Sequence, residues 1–215
     1  ANGNILMQIA ADAGEKIVRL VKEDLRPSRI LTRKAFENAI KVHAAIGGST
    51  NAVLHLPAIA KELGIEITLD DFERLTDGIP LLTSILTAGK WPTQFFWYAG
   101  GIPRIMLELK DKLDLNLPTV TGMTVGENLE YLEKTGFFRR GSEYLGNYGM
   151  KTSDIIKSVD DPIDTDSGVT VLKGNIALKG AIIKHCALDK RMYRFEGLAR
   201  AQCFIIAPLS AMFPL

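Results

Sequence analysis

The stretch that organises this chain is Ile46-Gly47-Gly48-Ser49-Thr50-Asn51, in which two glycines precede three small hydrogen-bonding residues. Apolar positions recur at spacings of three and four on both sides of it, and Thr32 is placed to cap the upstream segment. This pattern predicts two buried helices joined by a sharp turn, because glycine adopts backbone angles that other residues avoid. The residues that carry the helical spacing are Phe36, Ile40, His43 and Ala44 before the turn, and Val53, Leu54, Ile59 and Leu63 after it.

The three polar residues of this turn form the candidate binding site. We predict that Ser49 or Thr50 caps the downstream helix, whose free N–H groups and positive dipole end attract a carboxylate or phosphate. The two hydroxyls and the amide of Asn51 would add hydrogen-bonding groups for a substrate. The alternative is an ordinary helix corner, since capped turns that contain glycine are common.

Composition and charge exclude several classes of protein. The chain has 215 residues, of which 47% are hydrophobic, which is enough for one large domain or two small ones. Its net charge of +1 gives no electrostatic argument for binding nucleic acid or an acidic membrane. The chain contains neither an apolar run of about eighteen residues nor a secretion signal. We therefore expect a soluble cytoplasmic protein, and its abrupt start at Ala1 suggests the middle of a longer polypeptide.

The pattern of the chain changes along its length. Signals up to about Leu117 are mostly helical and include a helix start at Thr68-Leu69-Asp70-Asp71. Glycines then punctuate a loop-rich passage from 136 to 160, after a helix that ends near Lys134. Short runs of branched residues at 169–172 and 181–184 predict paired strands. We predict an α/β protein with a helix-rich α/β domain over 1–158, including its linker, followed by the start of a smaller β domain over 159–215.

An aromatic group lies in the irregular passage before residue 99. It consists of Trp91, Phe95, Phe96, Trp97 and Tyr98. Such a group is either a wedge of the core or an exposed platform at a subunit contact. We favour the core, because aromatic side chains are more often buried than displayed.

The cysteines and histidines do not form a recognisable metal site. Cys186 and Cys203 are far apart, whereas a cluster needs three or four cysteines, so we interpret both as buried free thiols in a reducing compartment. His185 should point away from Cys186, because neighbours on a strand face opposite sides. His43 and His55 flank the turn, and both are more readily explained as core residues than as catalytic groups.

Acidic residues that could act in acid–base chemistry have simpler explanations. They are Glu37, Glu127, Asp160 and Asp161. Exposure or helix capping accounts for each of them with fewer assumptions than proton transfer does. We therefore assign no catalytic residue and no metal ligand to this chain.

Several segments, taken in order, resemble one enzyme family. They are Lys34-Ala35-Phe36-Glu37-Asn38-Ala39-Ile40, the run from Gly47 to Ala60, Tyr98-Ala99-Gly100-Gly101-Ile102-Pro103, Thr119-Val120-Thr121-Gly122, Gly126-Glu127-Asn128-Leu129 and Val171-Leu172-Lys173-Gly174-Asn175. Together they resemble the dihydroxy-acid and phosphogluconate dehydratases, a family that also contains sugar-acid dehydratases. The common order over roughly the first two hundred residues makes chance similarity improbable.

The resemblance implies a fold and a chemistry. It implies part of an α/β catalytic domain followed by the start of a barrel-like β domain, and a homo-oligomeric enzyme acting on a small hydroxy acid. Dehydration removes a proton beside a carboxylate and a hydroxide from the neighbouring carbon, which leaves a 2-keto acid. The family uses an iron–sulfur cluster and magnesium for this reaction. Its cluster, base and metal-carboxylate motifs are absent here, so we expect this segment alone to bind no cofactor.

The substrate and even the catalytic role stay open at this point. Asn51-Ala52-Val53-Leu54-His55-Leu56 is closer to enzymes of branched-chain amino acid biosynthesis, whereas Phe96-Trp97-Tyr98 is closer to sugar-acid dehydratases. We rank the branched-chain dihydroxy acid first. A hypothesis of another class is a non-catalytic truncated or interaction fragment, because the cluster motifs are missing and the apolar tail 205–215 departs from the family.

Overall fold

The computed structural model describes residues 2–86 and 88–187, with side chains from residue 6 onward. Helices dominate this part of the chain, and one antiparallel strand pair follows them, which confirms the helix-rich α/β class. The helices are α1 (Asn2–Lys22), α2 (Pro27–Ile30), α3 (Arg33–Ala45), α4 (Ala52–Glu62), α5 (Leu69–Thr76), α6 (Thr93–Tyr98), α7 (Gly101–Glu108), α8 (Val125–Lys134), α9 (Phe137–Gly146) and α10 (Thr152–Ile155). The strands are β1 (Thr170–Leu172) and β2 (Ala181–Ile183), and 3-10 turns occupy Lys110–Lys112 and His185–Ala187.

Helix α3 is the centre of the packing. It begins as predicted, with the Thr32 hydroxyl accepting a hydrogen bond from the backbone N–H of Ala35 at 3.3 Å. Its first half contributes to one core cluster and its second half to another, so the helix is held on both sides. The first cluster contains Phe36, Ile40, Ala60, Ile67, Phe72 and Leu75, and the second includes Val42, Ala44, Ala45, Leu82, Phe96, Ile105 and Leu145. The C-terminal end of α3 is therefore a rigid base for the turn that follows.

Helix α4 is less buried than its sequence suggested. Leu54 and Ile59 are exposed, and Ala60 is its one fully buried residue. The side chains that pack toward α3 are Val53, Leu56, Ala60 and Leu63, spaced three, four and three positions apart. The predicted apolar face was therefore partly wrong, because Leu54 and Ile59 lie off this stripe and α4 contacts the core along one side only.

Helix α9 occupies ten residues of the passage that was predicted to be loop. Gly136 ends α8 in the left-handed conformation, with φ at +72°, and α9 begins at the next residue. Gly141 lies inside α9, where a Cβ atom would come within 2.2 Å of the carbonyl oxygen of Tyr98. The loop prediction was wrong for 137–146, because a glycine required by close helix packing has the same sequence signature as a glycine in a loop.

The aromatic group divides between core and surface. Phe96 is buried, and Trp91, Phe95 and Tyr98 pack against the second core cluster. Trp97 is 59% exposed and makes an edge contact with Phe137, with ring centroids 5.6 Å apart. The core interpretation is confirmed for most of the group and wrong for Trp97.

The predicted strand pair is present and packs on α5. β1 and β2 are antiparallel, with Val171 opposite Ile182. Lys173, just after β1, donates to Asp70 at 2.8 Å and to Glu73 at 2.5 Å. The hydrogen bonds to these two carboxylates raise the pKa of Lys173 to about 12, and the bond to Asp70 has the larger effect. The division at residues 158 and 159 stays a prediction, and the part of the β domain from 188 to 215 lies outside the described residues.

Candidate functional site

The turn after α3 requires glycine, as predicted. Gly47 has φ at +56°, in the left-handed region, and the backbone N–H of Gly48 donates to the carbonyl of His43 at 3.0 Å. A Cβ on Gly168 would lie 2.3 Å from the Cα of Gly47, so two glycine backbones are in direct contact here. The N–H of Gly168 also donates to the carbonyl of Ala44 at 3.0 Å. The turn is therefore fixed from below by α3 and from the side by residue 168.

The prediction that Ser49 or Thr50 caps α4 was wrong. The N-cap is Asn51, which already has helical backbone angles, and its side chain makes no capping hydrogen bond. The N–H groups of Ala52, Val53 and Leu54 donate to the carbonyls of residues 49, 50 and 51 in turn. Because this 3-10 turn satisfies the N–H groups of residues 52–54, these groups are not free to bind an anion.

The three candidate side chains lie together at the surface. Ser49 and Asn51 are exposed and Thr50 is half-buried. The Ser49 hydroxyl accepts a hydrogen bond from the N–H of Asn51 at 3.2 Å, which shapes the turn. Within the described part of the chain, neither the Thr50 hydroxyl nor the Asn51 side-chain amide makes a hydrogen bond. These two groups are therefore available to a ligand, while their role in substrate binding stays a prediction.

The two histidines near the turn have different environments. His43, on α3, lies beneath the turn, with its Nε2 2.8 Å from the carbonyl oxygen of Ser49. Burial lowers its pKa, the hydrogen bond to Ser49 opposes this, and the charge of Lys184 lowers the pKa further. His55 is exposed on α4, so its interpretation as a core residue was wrong. Of the pair, only His43 supports the turn.

A cleft of about 240 Å³ opens beside Gly47. Its lining includes Ser84, Asp164 and Lys184, which bring a hydroxyl, a negative charge and a positive charge together. Ser49, Thr50 and Asn51 are not part of this lining. No sequence signal marks Ser84, Asp164 and Lys184 as a site, because they come from distant segments and belong to no motif with a known spacing.

His185 and Cys186 do not lie on a strand, so the argument that they face opposite sides was wrong. They belong to a 3-10 turn, and both line the cleft. Cys186 is a free thiol, half-buried rather than buried, and this burial raises its pKa above the ordinary value. Cys203 lies outside the described residues.

The described residues do not fit an iron–sulfur cluster or a magnesium ion. Across 2–86 and 88–187, no three histidine, cysteine or acidic side chains come close enough to hold a metal. An iron–sulfur cluster takes several cysteine thiolates, and Cys186 is the one cysteine in this range. No step of the chemistry is therefore assigned to a cofactor held by this part of the chain.

Other residues considered for acid–base chemistry have structural roles. Glu127 accepts a hydrogen bond from the N–H of Thr124 at 2.7 Å, and this bond lowers its pKa. Asn128 donates to the Thr119 hydroxyl at 2.7 Å. The segments at 119–122 and 126–129 are thus explained by the start of α8. Glu37 pairs with Arg33 and Arg74, and Asp161 pairs with Lys157.

Among the helices of residues 2–86 and 88–187, none has the length and apolar character needed to cross a bilayer.

Comparison with known proteins places the chain in a family. Residues 1–128 match the model of the dihydroxy-acid/6-phosphogluconate dehydratase N-terminal domain, and residues 154–205 match that of the C-terminal domain. The chain is 43% identical over 196 residues to the dihydroxy-acid dehydratase of Ruminiclostridium cellulolyticum, covering 90% of this chain and 33% of that protein. It is 41% identical over 194 residues to dihydroxy-acid dehydratase 1 of Methanosarcina acetivorans, with coverages of 90% and 33%. The chain thus spans about a third of the length of these curated relatives. With both of its domain models matched in order, the chain belongs to the dihydroxy-acid/6-phosphogluconate dehydratase family.

Proposed function

We propose that this chain is the part of a dehydratase that orients a 2,3-dihydroxy carboxylic acid for conversion to a 2-keto acid. Ser49, Thr50 and Asn51 bind the substrate in this proposal. The observation that carries it is the pair of polar groups on Thr50 and Asn51, which lack a hydrogen-bond partner among the described residues and project from a fixed turn. The assembled enzyme would be a cytoplasmic homo-oligomer, as the resemblance implies.

The rigidity of the turn supports a binding role. Gly47 packs backbone against backbone on Gly168, and His43 holds the carbonyl of Ser49. A binding group that is already ordered loses little conformational freedom when its ligand arrives. The Asn51 amide can donate to a carboxylate oxygen, and the Thr50 hydroxyl can donate to or accept from a substrate hydroxyl.

The contribution of this chain is binding and orientation rather than proton abstraction. The acidic residues near the helix starts are engaged in capping, and the described residues hold no metal site. We therefore place proton abstraction and activation of the leaving hydroxide outside the described residues of this chain. An isolated chain should accordingly show no turnover.

The substrate is proposed to be a branched-chain dihydroxy acid. The relatives cited above are named dihydroxy-acid dehydratases, and the family model also covers 6-phosphogluconate dehydratases. The two substrate types differ in the polarity of the tail. An apolar tail pocket disfavours the charged phosphate and the hydroxyls of 6-phosphogluconate, because burying a charge or an unpaired polar group is costly, so the preference should be pronounced.

A chimera provides the test. The aligned segment of the Ruminiclostridium cellulolyticum enzyme is replaced by this chain, and 2-keto acid formation is measured with a branched-chain dihydroxy acid and with 6-phosphogluconate. We expect activity on the dihydroxy acid alone. Activity on 6-phosphogluconate alone would assign the sugar-acid alternative, and a folded chimera inactive on both would favour the non-catalytic fragment. Melting curves recorded on the same preparation establish that the chimera is folded.

A further inference from the structure

One side chain lies beneath the turn that carries Ser49, Thr50 and Asn51. His43 lies near the C-terminal end of α3, and its Nε2 is 2.8 Å from the carbonyl oxygen of Ser49. A carbonyl oxygen can only accept a hydrogen bond, so Nε2 must carry the proton that is donated. This contact fixes the tautomer of the ring, because a neutral imidazole has one N–H.

The other ring nitrogen is consistent with a neutral ring. Nδ1 of His43 is buried and has no hydrogen-bond partner among the described residues. A proton on Nδ1 would place a second donor in a site without an acceptor, and such a buried donor is costly. Burial disfavours the imidazolium form and is the largest cause of the lowered pKa of His43. The positive charge of Lys184 nearby lowers this pKa further.

Gly48 shows how closely the ring and the turn are packed. A Cβ at this position would lie 2.2 Å from Cδ2 and 2.5 Å from Nε2 of His43. The absence of a side chain at residue 48 is therefore what allows the imidazole to reach the Ser49 carbonyl. The ring fills the space under the turn and is not merely close to it.

We propose that His43, as a neutral imidazole donating from Nε2 to the Ser49 carbonyl, is a positioning residue that holds Ser49, Thr50 and Asn51 in their ligand-binding arrangement. The functional meaning of this arrangement rests on the proposed function, whereas the hydrogen bond itself does not.

The test compares two variants of this chain. His43→Gln keeps an N–H donor at a similar reach, whereas His43→Leu keeps apolar volume and removes the donor. Hydrogen exchange of the amide of Asn51, which is held by the Ser49 hydroxyl, reports on the order of the turn. We expect exchange about tenfold faster in the Leu variant and within about threefold of the original in the Gln variant. The amides of α5 serve as the internal control and should not change in either variant.

A spectroscopic readout separates positioning from general stability. Long-range proton–nitrogen NMR of the imidazole at neutral pH should show a protonated Nε2 and an unprotonated Nδ1. A protonated Nδ1 would overturn the proposal, and so would a Leu variant whose turn exchanges at the original rate. If the Leu variant unfolds, the Gln variant and the tautomer measurement still decide the matter.

The chimera links the positioning to function. There, His43→Leu should raise KM for the dihydroxy acid about tenfold with a smaller change in kcat, and His43→Gln should restore KM. An inactive parent chimera would count against the proposed function alone, because the exchange and tautomer measurements on this chain do not depend on activity. An active chimera with an unchanged KM in the Leu variant would overturn the positioning role.

Discussion

Helices α1 and α3 have the same kind of amphipathic sequence but different surroundings. On α3, Phe36 and Ile40 are 3% and 0% exposed. On α1, six large apolar side chains are 53% to 75% exposed; these are Leu6, Met7, Ile9, Ile17, Val18 and Val21. The periodicity of a sequence thus identifies an apolar face, whereas the burial of that face depends on elements elsewhere in the chain. An exposed apolar face of this size is typical of a surface that other protein packs against.

The largest expected effect separates the apolar faces of these two helices. Ile40→Ala should lower the free energy of unfolding by about 2–5 kcal/mol, because it opens a cavity in a closed core. Ile17→Ala, the matched change on α1, should stay within about 0.5 kcal/mol. Chemical denaturation of both variants provides the comparison. A large loss from Ile17→Ala would show that the α1 face is covered in solution.

A second comparison uses glycines inside helices. Gly141→Ala should destabilise the chain by about 1–3 kcal/mol, because its Cβ would meet the Tyr98 carbonyl oxygen at 2.2 Å. Gly14→Ala on α1 meets nothing within 4 Å. It should stabilise the helix by about 0.5–1 kcal/mol, since alanine is the better helix former. A melting temperature below that of the original chain for Gly141→Ala and above it for Gly14→Ala would confirm that α9 is closely packed and α1 is not.

A third comparison separates a cap from a binding group. Thr32→Ala removes a capping hydrogen bond of α3 and should cost about 1 kcal/mol of stability. Asn51→Ala should leave stability nearly unchanged, because Asn51 makes no capping bond. In the chimera, Asn51→Ala should lower activity about ten- to hundredfold if its amide binds the substrate carboxylate, the equivalent of about 1.5–3 kcal/mol. A destabilised Asn51→Ala variant with full specific activity would make the turn a helix corner only.

The smallest expected effect is a pH dependence of the free energy of unfolding that comes from His43 on α3. Helix α1 has no counterpart, because it contains no histidine. The pKa of His43 is lowered in the folded state from its ordinary 6.5, chiefly by burial. As the pH falls, the unfolded state takes up this proton first. The contribution of His43 to the free energy of unfolding is therefore fully present above about pH 6.5, and it is lost as the pH falls through the lower pKa of the folded state. Denaturation curves between about pH 5 and pH 8 should show this loss for the original chain, whereas His43→Gln should lack that component.

Local signals of the sequence predicted local structure well. The Thr32 cap of α3 and the capping box of Thr68 and Asp71 are present, and the branched runs form β1 and β2. Each depends on neighbours within a few positions. The exposed side of α4 and the helical Gly141 could not be predicted in this way, because both are determined by which distant element lies alongside.

The candidate site shows the same limit. The sequence placed Ser49, Thr50 and Asn51 on one turn, and the structure finds them there with two polar groups available. It did not predict that α4 satisfies its own first N–H groups, since that depends on the helical backbone angles of Asn51. Ser84, Asp164 and Lys184 come together only in the tertiary fold, so no spacing in the sequence predicts the cleft.

The contact between Gly47 and Gly168 restricts how this protein can change by mutation. A Cβ atom at residue 168 would lie 2.3 Å from the Cα of Gly47. This Cα is a backbone atom, so no substitution at residue 47 can remove it. An ordinary overpacked pair can be rescued when one partner is exchanged for a smaller residue. Here neither partner has a smaller residue to change to, so a suppressor search that starts from Gly168→Ala should find reversion and no compensating substitution at residue 47.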